Sequence, residues 1–93
     1  MARNLVVATE KETWSAGGAH RHASALGLVD GRRVGRSFAI LNLELGLASY
    51  YMVVGGRDAD VRILARCARC GFAHLQVDDG ASDHDALLEL RDV

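Results

Sequence analysis

Two cysteines, separated by two residues and followed by a glycine, are the residues of this chain best suited to chemistry. They lie in the segment Cys67-Ala68-Arg69-Cys70-Gly71, and the chain has no other cysteine. A C-x-x-C pair followed by glycine at a hairpin tip is typical of half a zinc ribbon, because backbone amides after the first cysteine point at the thiolates. Glycine permits the tight turn. The sequence therefore predicts either no cofactor or zinc, with Cys67 and Cys70 as the ligands if zinc is bound.

Tetrahedral zinc requires two further ligands, and the histidines are the available donors. His74 follows Cys70 by four residues and is the first candidate, while His20, His22 and His84 are the others. His20 and His22 alternate along a predicted strand, so both imidazoles face one side. For that pair, the start of a solvated strand is the favoured interpretation. A symmetric dimer could alternatively supply the cysteine pair twice.

Two other interpretations of the cysteine pair stay open. The neighbouring Arg66 and Arg69 would lower a thiol pKa, which would suit a thiol-redox enzyme. In thioredoxin-like enzymes such a pair precedes a helix, whereas here a strand is expected to follow. The simplest interpretation is that both thiols are incidental and that one is buried as a small apolar residue. A structural disulfide is disfavoured, because the N-terminus lacks the apolar core of an export signal.

A basic face on the strand that leads to the cysteines is the second candidate site. Arg62 and Arg66 alternate with apolar residues and point to one side, with Arg69 beside them. Phe72 and His74 could stack on a ligand there. These five residues predict binding of a macromolecular partner, with a protein favoured and a nucleic acid as the alternative. The simpler interpretation is an ordinary exposed sheet face.

Composition places the chain among small globular domains. It has 93 residues, of which 49% are hydrophobic and 25% charged, so a single domain over residues 1–93 is expected. The net charge of −1 excludes an overall electrostatic attraction for nucleic acids or anionic membranes. No apolar run approaches the roughly 20 residues of a membrane span. We therefore expect a cytoplasmic protein without a membrane partner. Because the sequence shows neither a phosphate-binding loop nor a nucleophile elbow, we also predict that it is not an enzyme.

Short apolar runs between glycine and aspartate turns predict the elements that position these residues. Strands are expected at residues 4–9, 20–30, 49–54, 61–67 and 72–77, with a turn at 57–60. A loop carrying Trp14 is expected at 10–19, and a short helix or edge strand at 82–93. Residues 37–47 are ambiguous: the leucines alternate as in a strand, whereas Ser37 as N-cap and Gly46 as C-cap favour a helix.

Several stretches between His22 and Leu90 resemble a family of small, uncharacterised bacterial and phage domains. The resemblance implies a helix from Ser37 to Gly46 and a role as a phage or mobile-element accessory or inhibitor protein, with no assigned activity. The chain departs from the family pattern at His74, Val77 and Ala86. The matching stretches are Leu43-Glu44-Leu45-Gly46 after Ser37, Tyr50-Tyr51-Met52-Val53, Val61-Arg62-Ile63, His74-Leu75-Gln76-Val77-Asp78 and Asp85-Ala86-Leu87-Leu88.

Taken together, these patterns predict an α+β domain: an antiparallel sheet of four to six strands with one short helix packed on one face. The predicted function is a non-enzymatic interaction module that binds a partner through the exposed sheet face. The alternatives are a zinc-stapled structural or nucleic-acid-binding module that uses Cys67 and Cys70, and a thiol-redox enzyme. Opposed basic and acidic patches also make a homodimer an expected assembly.

Overall fold

The computed structural model describes residues 2–15, 17–77 and 86–93. Within these residues, the chain forms strands and one α-helix, which confirms the predicted α+β class. In the part of the chain that the structure describes, no helix is long and apolar enough to cross a membrane. The elements in chain order are β1 (Ala2–Trp14), β2 (His20–Leu28), β3 (Arg33–Gly35), α1 (Arg36–Leu45), β4 (Ala48–Val54), β5 (Arg57–Leu64), β6 (His74–Val77), a 3-10 helix (Ala86–Glu89) and β7 (Arg91–Asp92).

The sheet is mixed and larger than expected. Its strand order is β3-β2-β1-β4-β5-β6, and β7 pairs with β1. Strand β1 runs antiparallel to β2 but parallel to β4 and β7. The prediction of a purely antiparallel sheet of four to six strands is therefore wrong. The reason is the length of β1, whose first residues pair with β4 while Ala8 and Thr9 pair with β7.

Strand β1 continues to Trp14, so the loop expected at 10–19 is wrong over its first half. The polar residues there find partners on neighbouring elements. Glu10 accepts a hydrogen bond from Arg33 at 2.9 Å, and Glu12 accepts one from Arg36 at 2.6 Å. In the sequence alone these polar side chains suggest a loop. In the sheet, cross-strand and helix partners of opposite charge allow them to lie in a strand.

Residues 36–45 form a helix, which settles the ambiguous segment. Gly46 adopts the left-handed conformation at φ 69° and caps the C-terminus, as predicted. Ser37 lies inside the helix and is not the N-cap, because Gly35 precedes the first turn without a side-chain cap. Ala39 is buried, and Ile40 packs against the core from the same helix. The packing of the helix on one face of the sheet stays a prediction.

The core includes the place where β2 and β6 meet. Strands β2 and β6 are in contact although three other strands separate them in that order. The sheet therefore curves until β6, at one end, approaches β2, the strand next to the other end. Leu26, Leu75 and Leu87 are fully buried at this junction of β2, β6 and the 3-10 helix. The curvature brings the beginning of β2 near the beginning of β6.

Strands β5 and β6 differ in their limits from the sequence expectation. Strand β5 already begins at Arg57, so the turn expected at 57–60 is wrong; Gly55 and Gly56, both at positive φ, form it instead. Strand β5 ends at Leu64 and β6 begins at His74, so both are shorter at their cysteine side than the predicted 61–67 and 72–77. The connection between them carries the C-x-x-C pair.

Candidate metal centre

Four potential metal ligands meet where the curved sheet brings β2 against the connection between β5 and β6. His20 and His22 occupy the beginning of β2, and Cys67 and Cys70 occupy the connection. Their ligand atoms all lie within 4.8 Å of one another. The two pairs are about 45 residues apart in sequence, so only the tertiary fold brings them together.

The spacing of these atoms suits tetrahedral coordination. The Cys67 Sγ lies 3.7 Å from the His20 Nε2, and the Cys70 Sγ lies 3.9 Å from the His22 Nε2. Bond lengths of about 2.3 Å to sulfur and 2.0–2.1 Å to nitrogen separate the donors of a tetrahedral zinc by roughly 3.5 Å. Two thiolates and two imidazoles form a donor set that selects zinc over magnesium or calcium. The group is therefore compatible with zinc.

The turn that holds the cysteines is fixed by its own backbone. The Gly71 N–H donates to the Cys67 carbonyl at 2.9 Å, and the Cys67 N–H donates to the Phe72 carbonyl at 3.0 Å. The Arg69 N–H points at the Cys67 Sγ at 3.4 Å. Gly71 has a φ of 77°, a conformation that a side chain would disfavour. This is the backbone arrangement that the C-x-x-C-G spacing predicts.

The turn between β1 and β2 packs directly against the cysteine turn. A Cβ atom on Gly17 would lie 1.8 Å from the Arg69 carbonyl oxygen, so no residue with a side chain fits there without a shift. The Arg69 guanidinium donates to the Ala19 carbonyl at 3.4 Å. These contacts hold His20, which follows Ala19, within reach of Cys67.

The ring of His20 is oriented for metal binding through its Nε2. Its Nδ1 lies 2.7 Å from the Gly18 carbonyl oxygen, which can only accept a hydrogen bond. The Nδ1 therefore carries the proton, and the Nε2 lone pair faces the Cys67 sulfur. Metal-ligating histidines typically have such a partner on the other ring nitrogen.

Electrostatics keep the centre in the protonation state that metals require. Burial, together with the nearby imidazoles of His74 and His20, lowers the pKa of His22 to about 4. Backbone N–H groups of Cys70 and Arg69 that bond to its sulfur lower the pKa of Cys67 to about 7. At neutral pH the His22 imidazole is therefore neutral and the Cys67 thiol readily ionises, and both forms bind metal.

His74, the first histidine candidate from the sequence, lies beside the four-residue group. Its Nε2 is 3.2 Å from the Cys70 Sγ, and its ring stacks on that of His22 with centroids 3.4 Å apart. The edge of Trp14 packs against it at 4.9 Å. The other candidate, His84, lies outside the described residues. The structure thus brings Cys67 and Cys70 together with His20 and His22, for which the sequence alone favours a solvated position.

The predicted partner-binding residues divide into two sets. Arg62, Arg66, Arg69 and Phe72 are exposed, and Phe72 shows 58% of its surface. His74 is 0% exposed, so its placement on the outer face is corrected: the neighbouring rings enclose it, and it cannot stack on an external ligand. Binding of a partner by the other four residues stays a prediction.

Sequence reasoning missed the importance of the end of β1. Trp14 pairs with His20 across the hairpin and contacts His22, Phe72 and His74 through its ring. Its Nε1 donates to Glu12 at 2.8 Å. The alternation of His20 and His22 indicates that both rings face one side of β2. No local pattern indicates that Trp14 and the cysteine turn lie on that side.

Comparison with protein-family models, with curated proteins and with solved structures finds no match to this chain. The chemical character of the site therefore follows from its own donors, their spacing and their protonation states.

Proposed function

We propose that this protein is a small interaction module whose fold is stabilised by one structural zinc ion. The ion would be bound by His20, His22, Cys67 and Cys70. The observation that carries the proposal is the approach of these four ligand atoms to within 4.8 Å of one another. It favours the zinc-stapled module over the incidental-thiol interpretation, because two incidental thiols do not require two histidines from a distant strand.

The position of the centre supports a structural role for the metal. It would join β2 to the β5–β6 connection, at the point where the curved sheet brings β2 against β6. A chain of this size has a thin stability margin from its core alone, and small domains commonly gain the rest from a metal or a disulfide. Metal binding would contribute directly to folding, because the unfolded chain has no preformed site.

The donor set supports a non-enzymatic protein. Four protein ligands complete a tetrahedral zinc and leave no position for water or substrate, which is the pattern of structural sites. The thiol-redox alternative requires a free thiolate, whereas Cys67 is buried and faces His20, and the half-buried Cys70 contacts His74. Metal binding would hold both thiolates as ligands.

The outer surface of the cysteine turn is the proposed partner-binding face. Arg66, Arg69 and Phe72 lie on or beside the turn that zinc would hold, and Arg62 extends the set along β5. Arginine and aromatic side chains are enriched at the centres of protein interfaces. We propose an acidic protein surface as the partner, in keeping with the accessory or inhibitor role that the family resemblance implies. The proposal includes a cytoplasmic location, and a homodimer remains the expected alternative assembly.

Native mass spectrometry of the purified full chain, with elemental analysis, tests the metal. We expect one zinc per chain in the wild type and loss of that zinc in Cys70→Ser and His22→Gln. His84→Gln is the matched control, because the proposal assigns His84 no role. One zinc per two chains would instead indicate a centre shared by two cysteine pairs. A metal-free protein that melts at the same temperature as the zinc-loaded protein would overturn the structural role.

A further inference from the structure

The two sulfurs of the centre have different surroundings. Backbone N–H groups of the turn bond to the Cys67 Sγ. Within the described residues, side chains contact the Cys70 Sγ, and the His74 Nε2 approaches it at 3.2 Å, closer than the His22 Nε2 at 3.9 Å. We infer that His74 is a positioning residue that donates its Nε2–H to the Cys70 thiolate and does not bind the metal. This inference rests on the proposed zinc site.

The ring of His74 is held in place on both sides. It is fully buried, it lies parallel to the His22 ring within 5°, and the Trp14 ring meets it edge-on at 88°. Packing by neighbouring side chains is one of the ways in which a protein locks the orientation of a ring at a site. The approach of the Nε2 to Cys70 therefore follows from how the ring is packed.

The other ring nitrogen shows which role the Nε2 plays. Among the described residues, the His74 Nδ1 is the one buried side-chain nitrogen or oxygen without a hydrogen-bond partner. If the Nε2 bound zinc, the neutral ring would carry its proton on Nδ1, which would leave a buried N–H without an acceptor. Such orphaned donors are rare. If the Nε2 carries the proton, only a lone pair is left without a partner.

His20 provides the contrast within the same centre. Its Nδ1 has the carbonyl partner that a ligating histidine normally has, at Gly18. His74 has none. The two histidines are therefore opposite tautomers: the proton lies on Nδ1 in His20 and on Nε2 in His74.

A hydrogen bond to a thiolate withdraws electron density from the sulfur. A charge-assisted bond of this kind is stronger than a neutral one. It should make the metal-bound Cys70 less nucleophilic and should hold its sulfur in position for zinc. Loss of an outer partner typically costs about 10–100-fold in metal affinity, and we expect a change of that size when His74 loses its N–H.

The tautomers can be observed directly in the wild-type protein. In nitrogen-correlated NMR spectra of the histidine rings of the zinc-loaded chain, we expect a protonated Nε2 and a bare Nδ1 for His74. For His20 we expect a protonated Nδ1 and a metal-shifted Nε2. A protonated Nδ1 together with a metal-shifted Nε2 at His74 would overturn the inference, because His74 would then be a ligand.

Two variants test the consequence for the sulfur. His74→Leu removes the N–H, and His74→Gln keeps one. With cobalt as the probe metal, we expect the leucine variant to retain a tetrahedral spectrum, to shift its thiolate-to-cobalt band to lower energy and to alkylate faster at Cys70. Cys67 serves as the internal control, and the glutamine variant should recover part of each change.

The outcomes separate this inference from the proposed function. Failure of the wild type to bind zinc or cobalt overturns the proposed zinc site. Normal metal binding, with the same band and the same Cys70 alkylation rate in all three proteins, overturns the role of His74 alone. If the leucine variant does not fold, the wild-type tautomers and the glutamine variant still decide the question.

Discussion

The neutral imidazole of His22 makes the metal-free protein sensitive to acid. Its pKa is lowered from 6.5 to about 4, mainly by burial, and burial also lowers the pKa of His74. Protonation of these imidazoles therefore favours the unfolded chain. The contribution of the neutral His22 ring to the free energy of unfolding is complete above about pH 6.5 and is lost as the pH falls to about 4. For His22 the loss is on the order of 3 kcal/mol.

Urea unfolding of the metal-free chain at neutral pH and near pH 4 measures this effect. We expect the free energy of unfolding of the wild type to decrease when the pH is lowered from neutral to about 4. The decrease should be smaller in His22→Gln, which has no imidazole at this position. Equal pH dependence in the two proteins would show that the His22 ring is not desolvated as the structure indicates.

Gly17 tests the contact between the two turns. An alanine there would be strained by the positive φ of 74° and would also clash with the Arg69 carbonyl oxygen. Gly31, at φ 92° with open space around it, has only the conformational cost, which is about 1–2 kcal/mol. We expect Gly17→Ala to lower both zinc affinity and melting temperature, and Gly31→Ala to lower the melting temperature alone. Equal zinc affinity in both variants would mean that the turn contact does not position His20.

At the scale of the elements, Thr9 links β1 to the 3-10 helix. Its side chain is fully buried, and its Oγ1 donates to the Leu87 carbonyl at 2.8 Å. Thr9→Val keeps the shape but removes the donor, so we expect a loss of about 0.5–1.5 kcal/mol in the free energy of unfolding. Thr13→Val, at an exposed position on the same strand, is the control and should change stability by less than about 0.5 kcal/mol. Similar losses in both variants would refute the link.

The elements that local patterns predict well are those with local causes. The capping glycine at Gly46 and the turn at Gly31 follow from residue type, and β2 and β4 follow from their apolar content. Strand β1 was predicted too short because Glu10 and Glu12 are satisfied by arginines more than 20 residues away. The parallel pairing of β1 with β4 and β7 is likewise a property of the whole sheet.

Local sequence patterns predict one part of the candidate site, and the tertiary fold determines the rest. Spacing alone identifies Cys67 and Cys70, and strand alternation places His20 and His22 on one side. Which histidines meet the cysteines depends on the contact between β2 and β6, and no short segment encodes that contact. The four-residue step from Cys70 to His74 predicted their proximity, but burial and the partner of each ring nitrogen decide the role of His74.

At the scale of the molecule, the arginine-rich face is the proposed surface for an acidic partner. We expect Arg62→Glu together with Arg66→Glu to weaken binding of a polyglutamate probe by about tenfold or more, since two attractive charges become repulsive. Arg57→Glu with Arg91→Glu makes the same charge change at exposed sites elsewhere and is the control. Equal weakening in both double variants would reveal a general charge effect and contradict a specific face. Preferential binding of an oligothymidylate probe would favour a nucleic-acid partner instead.

The identity of the four ligands is the claim on which the molecular account depends. A proton–cadmium correlation spectrum of the full chain, with an NMR-active cadmium isotope in place of zinc, detects each residue bonded to the metal. We predict correlations to the β-protons of Cys67 and Cys70 and to the ring protons of His20 and His22, and none to His74. Correlations to the cysteines without His20 and His22, or a chain that binds no cadmium, would contradict the account.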